Sequence, residues 1–261
     1  MLHLMSAHGQ EVVAKARSGW FESPLGRRVL TLERKLLGEA LSQVFGWQLL
    51  QIGDWGQAGQ LMESARTQRR GLVTAGQFIS DQSGLAIHSR PDSLGIASDS
   101  IDAVLLPHTL EHETNPHEVL REVARVLLAE GQLIILGFRP FSTWGIRHIF
   151  AAQGLPPGTE RYISEHRLRD WVQLLGFEVI ESRCYLFTLP LGAAEPRTQR
   201  FMEGTGSKLW PLFAGAYMLR ARKRLYTLTP IRPRKWTRTQ VVGGLAESGT
   251  RMQSNHITSR E

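Results

Sequence analysis

Between residues 46 and 185 the apolar positions switch repeatedly between short continuous runs and a helical period. That switching predicts strands alternating with helices around a parallel sheet. Runs at 48–52, 72–74, 85–88, 103–106 and 133–136 have the length of buried strands. Val119, Leu120, Val123, Val126 and Leu127 fall on one helical stripe, and Glu130-Gly131 is expected to end that helix. Residues 61–70 also read as helical. Ser164 is placed as the cap of a helix that runs to Leu175 and stops at Gly176. Phe177 to Ile180 begins a sixth strand, and 214–219 a seventh. Upstream, 20–26 reads as a turn, and 27–45 as a helix with Leu30, Leu36, Leu37, Leu41 and Val44 among its apolar positions.

The densest stretch is 98–139. Asp102 opens a strand, Pro107, His108 and Leu110-Glu111-His112 form a loop, and a helix and second strand follow. Loops at the carboxyl ends of parallel strands carry ligand and catalytic groups, and the histidines fall there. The order Ser100-Ile101-Asp102, Leu110-Glu111-His112, Arg125-Val126-Leu127 and Glu130-Gly131 resembles class I S-adenosylmethionine-dependent methyltransferases of the type 11 kind. The resemblance covers roughly 46–225. It implies a Rossmann-like, seven-stranded, mostly parallel sheet with helices on both faces, its seventh strand antiparallel to the sixth. It also implies S-adenosylmethionine as cofactor and methyl transfer to a small-molecule acceptor. On this reading 1–45 is an N-terminal helical extension, 46–226 the methyltransferase-like domain, and 227–261 a basic, disordered tail.

In that family an acidic residue and a Gly-x-Gly-x-Gly turn follow the first strand. Here Gln51 stands for the acid, Gly53 matches, and Trp55 and Gln57 occupy glycine positions. Gly56 and Gly59 are shifted in frame. The acid expected after the second strand is missing from Val73-Thr74-Ala75-Gly76, and the position after the third is Arg90, with Asp92 two residues on. The expected cofactor contacts are Gly53, Asp54, Trp55, Gly56, Asp92 and Pro107. His108, just past the fourth strand, is the candidate to orient or deprotonate the acceptor. The alternative is a binding or regulatory protein on the same fold whose degenerate turn no longer supports catalysis. A nicotinamide-dependent enzyme is disfavoured, because no GxGxxG follows a strand.

Charge and composition refine this picture. The chain has 261 residues and a net charge of +7, but residues from 219 onward carry +8, leaving about −1 for the rest. Trp236 among Arg232, Arg234, Lys235 and Arg238 makes the tail a candidate nucleic-acid contact. No apolar stretch is long enough to span a membrane, and residues 1–13 lack the features of a signal peptide. The single cysteine, Cys184, suits a cytoplasmic protein. His112, Glu113 and His117 do not make a metal motif. The histidines are five apart, off one helical face, with Pro116 between them.

Overall fold

The computed structural model describes residues 15–56, 59–74, 85–151, 154–187 and 214–224. Its sheet has seven strands: β1 (Gln48–Ile52), β2 (Arg69–Thr74), β3 (Leu85–His88), β4 (Ile101–Pro107), β5 (Leu127–Phe138), β6 (Phe177–Tyr185) and β7 (Ala216–Lys223). Their spatial order is β3-β2-β1-β4-β5-β7-β6. β1 through β5 pair in parallel, while β7 runs antiparallel to both β5 and β6. β1 and β4 are therefore neighbours at the point where the strand order reverses, which is where doubly wound sheets place their ligand crevice.

Side chains of β4 and β5 alternate between two cores, as the two-residue strand period requires. Val104, Leu106, Leu133 and Ile135 pack on one face with α3 (Pro116–Val126) and α5 (Glu165–Leu174). Ala103, Leu105, Ile134 and Leu136 pack on the other with α1 (Pro24–Leu41). Two shorter helices follow β4 and β5, α2 (Thr109–His112) and α4 (Thr143–Phe150).

Several elements differ from the sequence reading for identifiable reasons. The supposed turn at 20–26 is the junction of two helices. A first helix covers 15–22, the Ser23 side chain accepts from the Gly26 N–H, and Pro24 starts α1, which ends at Leu41 rather than Phe45. Residues 61–70 are not a helix. A single 3-10 turn, Gln60–Met62, gives way to β2, which begins at Arg69. Leu61, Met62 and Ala65 mimic a helical stripe because all three are buried in the same core as α1. α3 stops at Val126, and Leu127 already pairs with Ile101 across a bulge. α4 has no counterpart in the sequence reading. The insertion at 188–212 and the basic tail lie outside the described residues.

Asp102 fastens the amino ends of the two central strands. Its Oδ2 accepts from the backbone N–H groups of Trp47 (3.0 Å) and Gln48 (2.9 Å). Asp102→Ala is expected to lower the unfolding free energy by about 2–3 kcal/mol, since both donors lose a charged acceptor. Urea denaturation reads this directly, and a loss below about 0.5 kcal/mol would mean that water replaces the carboxylate without cost.

Candidate functional site

Gly53 follows β1 with φ +96°, and its N–H donates to the Val73 carbonyl at 2.9 Å. A side chain is excluded here by the protein itself. A Cβ on Gly53 would sit 2.6 Å from Thr109 Oγ1, and one on Gly56 would meet Leu30 Cδ2 at 2.8 Å. A side chain at Gly53 would strain the turn and displace Thr109. The Thr109 hydroxyl donates to the Ile52 carbonyl, which ties α2 to the end of β1.

Asp54 reaches sideways. Its Oδ2 accepts from Thr74 Oγ1 at 2.6 Å, so a carboxylate reaches the last residue of β2 although β2 itself ends without one. Asp92, beyond β3, pairs through Oδ2 with Arg90, while its Oδ1 is shut off from solvent and, among the described residues, accepts no hydrogen bond. Pro107 is the buried last residue of β4.

His108 adopts a left-handed conformation, φ +57°, and is completely buried. Such a backbone is sparsely populated by non-glycine residues and is held here by what surrounds it. Nδ1 donates to Glu111 Oε2 and Nε2 to Glu33 Oε1, each at 2.9 Å. The imidazole packs against the rings of both Trp55 and Phe138, with each centroid 4.2 Å away. Glu33 also accepts from the Trp55 indole N–H at 2.6 Å and the Tyr185 hydroxyl at 3.0 Å. The second oxygen of Glu111 accepts the Phe138 backbone N–H. Six segments, α1, the turn after β1, the loop after β4, α2, β5 and β6, therefore meet at one buried cation flanked by two carboxylates.

Burial alone would pull the His108 pKa down. The charges and hydrogen bonds of Glu33 and Glu111 more than reverse this and raise it to about 9. His108 is consequently an imidazolium at neutral pH, and both ring nitrogens are engaged, so in this conformation it offers no free base to an acceptor. His112 is the opposite case. Burial, reinforced by the charge of Arg17, lowers its pKa to about 3. Its Nδ1–H donates to the Gly158 carbonyl at 2.9 Å, and its Nε2 is shielded from solvent without a partner. His117 is elsewhere, its ring 3.9 Å from that of Trp171.

The two histidines set a pH profile. The His108 contribution is fully present below about pH 6.5, the unfolded value, and is lost as pH rises through about 9, because the folded pKa is raised. The folded pKa of His112 is depressed, so that residue costs stability as pH falls from about 6.5 towards 3. Unfolding free energy is expected to peak near pH 6.5 and to fall by roughly 3 kcal/mol towards pH 9.5. Denaturant titrations across that range check this, and a flat profile from pH 6.5 to 9.5 would contradict the buried imidazolium.

Gly53 to Gly56 follow β1, and Pro107 and His108 end β4 and begin the loop after it, so these residues lie at the carboxyl ends of two paired strands. Glu33 and Tyr185 were not anticipated. Glu33 carries a legible signal, a lone acid on the stripe Val29, Leu37, Leu41 that faces the core. Tyr185 carries none, because its partners are far away in sequence.

Residues 63–135 match a methyltransferase domain family. Among curated proteins, YafS of Escherichia coli is 31% identical over 62% of this chain and 66% of its own length. Rv2003c of Mycobacterium tuberculosis is 31% identical over 71% of this chain and 65% of its own. The chain thus spans slightly under two thirds of these relatives, both of which are uncharacterized. A SAM-dependent methyltransferase of Thermotoga maritima shares the fold with a TM-score of 0.63 at 20% identity, over 84% of this chain and 99% of that one. One from Archaeoglobus fulgidus gives 0.53 at 17%, over 73% and 94%. With the seven-stranded sheet and the order of motifs along β4, α3 and β5, these likenesses show the class I methyltransferase fold, with a methyltransferase-domain match over 63–135.

Proposed function

We propose that the protein transfers a methyl group from S-adenosylmethionine to a small-molecule acceptor. The observation that carries this reading is Asp92 Oδ1, a buried acceptor beyond β3 with no hydrogen bond of its own. An unpaired buried acceptor costs free energy, and a ligand N–H donor there recovers it. The resemblance implies an acid for the cofactor's adenine amine at the position of Arg90, and Asp92, two residues on, stands in for it. Asp54, bonded to Thr74, supplies the carboxylate that β2 lacks and suits the ribose hydroxyls. Gly53, Gly56 and Pro107 shape the crevice edge between them.

The packing around Trp55 limits where a cofactor fits. Trp55 is buried against His108 and Phe138, and Thr109 and Leu30 fill the space over the glycines. The polar rim from Asp54 to Asp92 is the side that accommodates the nucleoside. Methyl transfer from a sulfonium needs alignment more than covalent help. His108 positions the loop after β4 through Glu33 and Glu111. His112 Nε2, neutral and unpartnered, is the atom that can accept a hydrogen bond from a protic nucleophile. With one cysteine in the chain, we place the protein in the reducing cytoplasm. Among the described residues no helix is long and apolar enough to cross a membrane.

Asp92→Ala is expected to weaken binding of S-adenosylhomocysteine by about tenfold in calorimetry. Unchanged affinity would remove Asp92 from the site. The second reading, a non-catalytic binding protein, is favoured by one observation: a fully buried tryptophan stands in a glycine position of the turn.

A further inference from the structure

A groove of about 840 Å³ opens beside the site, between the start of α3, the chain after β5 and the start of α5. Its wall is both aromatic and cationic. Trp171, Tyr162 and Phe141 line it, and Phe141 is 87% exposed. Arg161 and Arg167 line it too. Arg161 donates to the Thr114 carbonyl, and the Arg167 guanidinium lies 5.4 Å from the Trp171 ring centroid. Among the described residues neither arginine has a carboxylate partner. Among the described residues the one acid on the wall, Glu118, is paired with Arg121. The groove communicates with the buried cluster through Tyr162, whose ring stacks on Phe138 with centroids 5.1 Å apart.

An aromatic wall beside two uncompensated guanidinium groups has a definite complement. Planar ligands stack on the rings, and an oxyanion takes charge-assisted, often bidentate, hydrogen bonds from arginine. We propose that this groove binds the methyl acceptor, and that the acceptor is an aromatic small molecule carrying a carboxylate or a phosphate. The ring lies against Phe141 and Trp171, and the anion lies on Arg161 and Arg167. The acceptor role rests on the methyltransferase reading, whereas the anion site stands on the groove alone.

The test uses three probes on the full chain, phenyl phosphate, benzoate and the uncharged benzyl alcohol, observed by saturation-transfer NMR and calorimetry. At least one anion is expected to bind, and which one binds more tightly tells phosphate from carboxylate. Benzyl alcohol should bind at least tenfold more weakly. Arg161→Gln and Arg167→Gln should each weaken anion binding by roughly tenfold to a hundredfold. Both variants should keep wild-type affinity for S-adenosylhomocysteine, which also shows that they fold. Equal binding of the alcohol, or anion binding untouched by either substitution, would overturn the proposal. A wild-type protein that binds phenyl phosphate here but not S-adenosylhomocysteine would overturn the acceptor role and leave the anion site standing.

Discussion

His108→Leu is expected to lower the unfolding free energy by about 3–5 kcal/mol, because it leaves Glu33 and Glu111 buried without their shared cation. Both carboxylates are at most 2% exposed, so water cannot take over. For a domain of this size the melting temperature should drop by roughly 10 °C. Adding Glu33→Gln to the same chain should recover part of the loss, since a neutral amide replaces one stranded charge, its carbonyl accepting from the Trp55 N–H and its amide N–H donating to the Tyr185 hydroxyl. A double-mutant cycle gives the coupling. A loss under about 1 kcal/mol for the single variant would mean that the carboxylates are already neutral or hydrated, and the buried ion cluster would have to be abandoned.

Trp55→Gly restores the residue type that the family carries at this position, yet the expectation is a large loss, about 3–5 kcal/mol. Trp55 is 1% exposed and touches the rings of Phe21, His108 and Phe138. Its indole also gives Glu33 one of its three donors. Trp55→Phe keeps much of the volume and removes only the N–H, so it should cost about 1–3 kcal/mol. Thermal unfolding of the two variants side by side separates packing from hydrogen bonding. Trp55→Gly at wild-type stability would show that the indole is dispensable to the fold, and would identify it as a plug over the ligand site.

The sheet was legible because its central strands are long apolar runs and its motifs come in a fixed order. β1, β3 and β4 were placed within two residues, and Ser164 and Gly176 were correctly taken as the limits of a helix. Segments went wrong where local pattern and tertiary context disagree. Residues 61–65 bury apolar side chains at helical spacing without forming a helix beyond one 3-10 turn. α4 exposes Ile146, Ile149 and Phe150, so its pattern gives no stripe that faces a core. The site was half visible. The loop after β4 and the turn after β1 could be located from the motifs, but the sequence could not say that His108 would be locked between two carboxylates. That depends on Glu33, 75 residues away, and Tyr185, 77 residues away. The acid missing from β2 was sought on β2 itself. Asp54 reaches that strand from the neighbouring turn, which only the pairing of β1 with β2 makes possible.

The polar rim from Asp54 to Asp92 is expected to bind the methyl-donor cofactor, which calorimetric titration of the wild-type chain with S-adenosylhomocysteine can decide. One site per chain is expected, with a dissociation constant on the order of micromolar. No heat of binding up to about 1 mM ligand, the upper end of ordinary substrate affinities, would contradict the methyltransferase reading and leave a binding protein built on its fold.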